Sequence, residues 1–247
     1  MIRVQGVTKK FGDFTAVDNV DMVIHEHEIL GMIGPNGAGK TTFSNLLTGY
    51  YAPDSGTVFC QGKNITGYSP EKIVSLGIVR TFQLVRVFDN LKVHENLGLS
   101  YYRMKKGKSF PLGILRSKLT DPSIREKVDE IVQVFELDRL ADEETGNLSL
   151  GNKKKLEIAM AFIADPKLLT LDEPFAGLSS HEIDEIIKII KPHGKTRTIF
   201  LIEHKISKLL DLADRLVVMH EGRVVAAGNP EETLNDPEVR RVYWKIH

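Results

Sequence analysis

Gly34-Pro35-Asn36-Gly37-Ala38-Gly39-Lys40-Thr41 has a glycine, four residues, then glycine, lysine and threonine. That spacing suits phosphate binding: glycines let successive backbone amides converge on an anion, which then rests at the positive end of a helix dipole. Lys40 would place a point charge at the β- and γ-phosphates, and the Thr41 hydroxyl is a hard oxygen ligand for Mg²⁺. A second constellation is the apolar run Leu168-Leu169-Thr170-Leu171 ending in Asp172-Glu173. Asp172 can hold Mg²⁺ through its water, while Glu173 can orient or deprotonate an attacking water. Acids at a strand end often only cap the next helix. A phosphate loop elsewhere in the chain turns that reading towards nucleotide hydrolysis. His25-Glu26-His27 could offer two histidines on one face of a strand, but no third ligand is near in sequence, so these read as ordinary polar side chains facing solvent.

Those residues need a sheet to carry them. Ile29 to Gly34 is a short, nearly all-apolar run of the kind buried on both faces, and Lys40 to Thr48 reads as a helix stopped by Gly49. Ile2 to Phe11 and Asn19 to Glu28 alternate imperfectly around the Gly12-Asp13 turn and predict an antiparallel opening. Pro53 to Gly56 predicts a turn before the strand TVFC, and Pro70 to Leu76 a short helix capped by Ser69. From Leu84 to Phe162 the segments turn helix-compatible: Lys92 to Met104, Pro122 to Phe135 and Lys153 to Ala164. After Asp165-Pro166 come LLTLD, a helix from Ser180 to Ile190, TIFLIE, a helix from Lys205 to Leu212, then RLVVMHEG and RVVAAG. Asn229-Pro230 and Asp236-Pro237 open two last short helices. This β-α-β rhythm implies a mostly parallel sheet interrupted by a helical insertion, in which ligands lie beyond the carboxyl ends of the strands.

Composition narrows the function classes. The 247 residues carry 33 basic and 33 acidic side chains, a balance that argues against coating nucleic-acid phosphates. A basic stretch runs from Arg103 to Lys118 and reads as a solvated loop, with a membrane-proximal or subunit-docking surface as the alternative. The one cysteine, Cys60, cannot form an internal disulfide and suits a reducing compartment. No apolar run reaches the ~18 residues needed to span a bilayer, and the start does not read as a signal peptide. A soluble, cytoplasmic protein is expected, with any membrane role supplied by a partner.

With both phosphate motifs in place, the chain resembles the ATP-binding cassette family along almost its whole length. Arg80-Thr81-Phe82-Gln83 resembles the family's glutamine loop, where Gln83 would contact Mg²⁺ and the water. Leu148-Ser149-Leu150-Gly151-Asn152 resembles the signature motif, so Ser149 and Gly151 would contact the ATP of a partner subunit. Ala176-Gly177-Leu178-Ser179 stands where the dimer-crossing loop belongs, and His204 matches the switch histidine that reaches the γ-phosphate. Phe11 is similar to the aromatic that stacks on adenine, with Val17 beside it. The resemblance thus implies an ATP site made of Phe11, Val17, Asn36, Gly37, Ala38, Gly39, Lys40, Thr41 and Thr42. Thr41, Gln83 and Asp172 would hold Mg²⁺, and Lys40, Gln83, Glu173 and His204 would act in hydrolysis. Leu150 and Asn152 depart from the usual glycine and glutamine of the signature, and Ser179 from the usual acid or amide of the dimer loop.

The resemblance implies an α/β fold: a RecA-like P-loop NTPase core with a mostly parallel sheet, an N-terminal antiparallel β subdomain and a helical subdomain. Residues 1–247 would form one ATP-binding domain, with the helical subdomain at about 84–160. RTFQLVRVF followed by VHENL, and the ending GNPEETLNDPEVRRVYW, resemble ATP-binding subunits of branched-chain amino-acid importers. LDEPFAGLS is shared with lipopolysaccharide-export ATPases, so lipid export and a soluble cassette ATPase stay open as alternatives. Implied partners are a second ATP-binding subunit, transmembrane permeases and, indirectly, a solute-binding protein, with no nucleic acid; Leu84 to Phe88, apolar side chains around Arg86 just after Gln83, read as the permease docking site, with a buried hinge as the alternative. The expected place is the inner face of the cell membrane. Neither the solute nor the identity of the second subunit is written in this chain.

Overall fold

The computed structural model describes residues 1–81, 85–106 and 121–244. The chain divides into two compact units. The first comprises Met1–Arg80, Lys167–Phe175 and Ile190–His247, the second Thr81–Pro166 and Ala176–Ile189.

The first unit holds two sheets. β1 (Ile2–Phe11), β2 (Phe14–Ile24), β4 (Ser55–Cys60) and β5 (Lys63–Asn64) form an antiparallel sheet in the order β2-β1-β4-β5. The second sheet has β3 (Ile29–Ile33), β6 (Ile78–Arg80), β7 (Leu168–Asp172), β8 (Thr198–Ile202), β9 (Arg215–His220) and β10 (Arg223–Gly228). Its order is β10-β9-β3-β8-β7-β6, and every pairing is parallel except β10 with β9. β3, β7 and β8 are buried at all five positions, as expected of strands covered on both faces. The phosphate-loop helix α1 (Lys40–Leu47) sends Phe43, Leu46 and Leu47 into a core shared with Val4, Val17, Met32 and Ile202. Phe43 meets Phe200 edge to face at 6.2 Å. α2 (Pro70–Ser75) leads into β6.

β2 begins at Phe14 and ends at Ile24, earlier at both ends than the expected Asn19 to Glu28. The hairpin is tight, pairing Phe11 directly with Phe14, and register shifts along β1 and β2 absorb Asn19, whose φ is +48°. His25-Glu26-His27 lies after the strand, in a turn. Glu28 accepts the His25 N–H at 2.6 Å and His27 has φ +58°, so the two histidines do not share a strand face.

The second unit is helical: α3 (Val93–Lys106), α4 (Pro122–Val134), α5 (Leu150–Phe162) and α6 (Ser180–Ile190), the last residue of α6 falling in the first unit. Asp121 caps α4 by accepting the Ser123 N–H at 3.0 Å, with Pro122 at the first helical position. Ser149 caps α5, which therefore starts three residues before the expected Lys153. Val93, Leu97, Ile131, Phe135 and Phe162 are buried here, Phe135 and Phe162 meeting edge to face at 5.2 Å. This unit is larger than the expected 84–160, because α6 joins it instead of the strand and helix alternation around it. Most of the basic stretch, and Gln83 with it, lies outside the described residues. Three short helices complete the first unit: α7 (Ile206–Leu210), α8 (Pro230–Asn235) and α9 (Pro237–Trp244).

Candidate active site

In the first unit the phosphate loop leaves the end of β3 and enters α1 through Gly39, whose φ is +100°. A side chain at Gly39 would collide with the Ala16 carbonyl, so the turn excludes any larger residue. Asn36, Gly37 and Thr41 are exposed, Thr42 is half-buried and Ala38 packs inward. Lys40 is buried and folds back on its own loop, donating to the carbonyls of Gly34 at 2.7 Å and Pro35 at 3.1 Å. Burial lowers its pKa from the ordinary lysine range, and the charges of Glu173 and Asp172 oppose that shift.

β7 and β8 run side by side, pairing Asp172 with Ile202, so both strands end at one edge. Glu173 follows with φ +49°, an uncommon conformation for a side-chain-bearing residue, and donates its N–H to the Ile202 carbonyl at 2.9 Å. His204 Nε2 lies 2.9 Å from Glu173 Oε1. The two residues expected to act on the water and the γ-phosphate are therefore in contact.

Two further residues hold this edge together. Glu203 is buried, and its carboxylate accepts the backbone N–H groups of Phe175 at 2.7 Å, His204 at 3.0 Å and Lys205 at 3.4 Å. One side chain thereby joins the segment after β7 to the segment after β8. Burial raises its pKa, those backbone bonds pull it down, and the Glu173 charge adds to the rise. Arg80, at the end of β6, donates to Asp172 Oδ2 at 2.6 Å. In the sequence Arg80 stands only as the first residue of RTFQ, and Glu203 belongs to no motif beyond the strand run TIFLIE. The signal available for Glu203 was a carboxylate closing an otherwise apolar strand run.

Phe11 is 44% exposed and meets Tyr51 edge to face at 5.3 Å, with the Lys9 ammonium 5.6 Å from its ring. Val17 does not stand open beside it. Its side chain is 0% exposed in the core and it pairs with Lys9, whereas the residue opposite Phe11 is Phe14, 62% exposed. Val17, expected beside the adenine, lies beneath the strand surface. As for the metal, the hydroxyl of Thr41 and the carboxylate of Asp172 supply hard oxygen donors of the kind Mg²⁺ takes.

In the second unit the exposed Ser149 accepts the Asn152 N–H through Oγ at 3.3 Å. Gly151 packs against the Glu182 carboxylate so closely that any side chain there would displace it. Glu182 in turn accepts the Ser179 N–H at 2.9 Å and its hydroxyl at 2.7 Å, while Ser179 Oγ accepts the Glu182 N–H at 3.4 Å. Ser179 thus forms a reciprocal cap at the start of α6, and these hydrogen bonds lower the Glu182 pKa. Arg86 donates its N–H to Glu157 at 3.2 Å, Phe88 donates its own to Asn96 at 2.9 Å, and the Phe88 ring is 50% exposed.

The family described as ABC transporter matches residues 17–176. The chain is 38% identical to the high-affinity branched-chain amino acid transport ATP-binding protein LivG of Salmonella typhimurium, over 98% of this chain and 97% of LivG. It is 36% identical to the corresponding protein BraF of Pseudomonas aeruginosa, again over 98% of this chain and 97% of that one. Among solved structures, the ADP conformation of an ATP-binding cassette of an ABC transporter superposes with a TM-score of 0.83 at 33% identity, covering 100% of this chain and 99% of that one.

Proposed function

The chain belongs to the ABC transporter family of ATP-binding subunits, and from that premise we propose that it hydrolyses ATP to drive import of branched-chain amino acids. The observation that carries the catalytic part is the 2.9 Å contact of His204 with Glu173 at the strand edge that also bears Asp172. The near-full-length match to relatives named for branched-chain amino-acid transport supports import over lipid export or a soluble role.

In this reading Lys40 leaves the carbonyls of Gly34 and Pro35 for the β- and γ-phosphates, whose charge offsets the burial that now lowers its pKa. The amides of Asn36 to Thr42 cradle the phosphates, and Phe11 stacks on the adenine through its exposed face. Glu173 orients the attacking water and takes its proton. His204, in contact with Glu173, hydrogen-bonds the γ-phosphate and keeps the acid aimed at it. Thr41, Asp172 and Gln83 would hold Mg²⁺, which supplies positive charge to the phosphate oxygens when bound. Ser149 and Gly151 complete the ATP site of a second ATP-binding subunit, a two-fold arrangement if the two are identical.

Among the described residues no helix is long and apolar enough to cross a membrane. Transport then requires separate permease subunits, which would receive this subunit on the inner membrane face around Leu84 to Phe88. A solute-binding protein would act through those permeases. The test is leucine, isoleucine and valine uptake into vesicles holding the complete transporter. ATP-dependent uptake that stops on Glu173→Gln supports the proposal. ATP hydrolysis that responds to none of these solutes overturns the substrate assignment.

A further inference from the structure

Arg80 opens the segment that resembles the glutamine loop, but the motif gives this side chain no role. Its Nη2 donates to Asp172 Oδ2 at 2.6 Å, while Nη1 donates to Asn45 Oδ1 at 2.6 Å and approaches Thr48 Oγ1 at 3.2 Å. Thr48 Oγ1 itself donates to the Ser44 carbonyl at 2.6 Å, closing the connection onto the helix backbone. The Tyr50 ring lies 5.8 Å from the guanidinium carbon. The Arg80 and Asp172 side chains are only 7% and 2% exposed.

The guanidinium fork therefore joins two elements of the site. Asn45 belongs to α1 and Thr48 directly follows it, the helix whose first residues are Lys40 and Thr41; Asp172 is the last residue of β7. β6 places Arg80 for this, pairing it with Thr170, two residues before Asp172. One planar cation with donors aimed in two directions fixes one oxygen of Asp172 and the body of α1 relative to each other.

We propose that Arg80 is a positioning residue for the metal: it holds Asp172 at a fixed orientation to the Thr41 end of α1, so that the two oxygen donors are set before Mg²⁺ arrives. This rests on the reading of Asp172 and Thr41 as the Mg²⁺ residues. Groups that orient a metal's ligands from behind affect metal affinity by roughly 10–100-fold when removed. A bare electrostatic role would act with the opposite sign, because a nearby guanidinium repels a divalent cation.

The experiment measures binding of a fluorescent N-methylanthraniloyl ATP to the full chain as Mg²⁺ is titrated, with a parallel measurement in EDTA. Lysine keeps the charge but cannot span both sets of acceptors, so Arg80→Lys should raise the half-saturating Mg²⁺ concentration by about tenfold and leave affinity in EDTA within about twofold. Asn45→Ala, which removes one anchor of the fork, should shift the midpoint in the same direction by less, and it carries the test if Arg80→Lys fails to fold. In an Asp172→Asn background, Arg80→Lys should add nothing, because the two act as one unit. Tighter Mg²⁺ binding in Arg80→Lys, equal loss with and without Mg²⁺, or unchanged midpoints in both single variants would each overturn the proposal. If Asp172→Asn itself leaves the Mg²⁺ midpoint unchanged, the metal assignment of Asp172 falls and this inference with it. If Asp172→Asn shifts the midpoint and the Arg80 and Asn45 variants do not, the inference alone falls.

Discussion

His204 Nε2 lies 2.9 Å from Glu173 Oε1, joining the residues that follow two neighbouring parallel strands. Glu173→Gln keeps the shape and one hydrogen bond but removes the base, so ATP should still bind while turnover falls by ~100-fold or more. Single-turnover hydrolysis checks this, and a near-normal rate would reject Glu173 as the base. Because the two side chains touch, His204→Ala combined with Glu173→Gln should cost much less than the sum of the single losses.

Lys40 is held by two carbonyls of its own loop, and burial works against its charge. Lys40→Ala should therefore weaken nucleotide binding itself, since the phosphates lose their nearest fixed cation. Calorimetry with ATP reads this directly, and unchanged affinity would contradict the assignment.

Phe11 is 44% exposed in the first unit, beside Tyr51. Stacking needs an aromatic face and no particular hydrogen-bonding edge, so Phe11→Trp and Phe11→Tyr should bind ATP about as well and Phe11→Ala less tightly. Equal affinity in the alanine variant would leave Phe11 as an ordinary exposed aromatic.

Phe88 is 50% exposed, which disfavours a buried hinge in the second unit. A packed phenylalanine cut to alanine costs ~3–5 kcal/mol, whereas an exposed one costs far less. The melting temperature of Phe88→Ala should stay close to that of the parent, while assembly with the permeases or transport is impaired. A large drop in melting temperature would reject the docking role.

Glu203 gives a pH signature. Its folded pKa is raised, chiefly by burial, above its ordinary glutamate value, so between those two values the folded state binds more protons than the unfolded state. This contribution is fully present below the ordinary value and is lost as pH rises through the raised one. Glu203→Gln removes the titration, so the dependence of melting temperature on pH across that window should be flatter in the variant. Equal slopes would mean that the Glu203 pKa is not raised. The glutamine keeps one acceptor oxygen and loses the other, so part of the set of backbone N–H groups of Phe175, His204 and Lys205 goes unaccepted, which should also slow hydrolysis with ATP affinity nearly kept.

The site was legible unevenly. Gly34 to Thr41 and Asp172-Glu173 could be read because phosphate chemistry demands particular residue types at local spacings, each within a few residues of the end of one strand. Arg80 and Glu203 could not be read so. Arg80 meets Asp172 across a sequence separation of 92, and Glu203 reaches Phe175 across 28, through strand pairings that no local pattern announces. Val17 came from the family resemblance alone, and only the hairpin shows its surroundings: register shifts set Phe14 opposite Phe11 and place Val17 in the core.

By itself the sequence determined the family, the strand and helix alternation, the phosphate loop and the acids at the end of β7. The alternation follows from short-range periodicity, the loop and the acids from chemistry fixed within a few residues, and the family from the resemblance of several motifs in order along the chain. Tertiary structure decided which carboxylates are buried, which cation neutralises Asp172, how His204 meets Glu173, and that α6 belongs to the helical unit. Those outcomes depend on the order of strands in the sheet and on packing between distant segments, where a side chain's charge state and orientation are set by neighbours that the linear chain does not reveal.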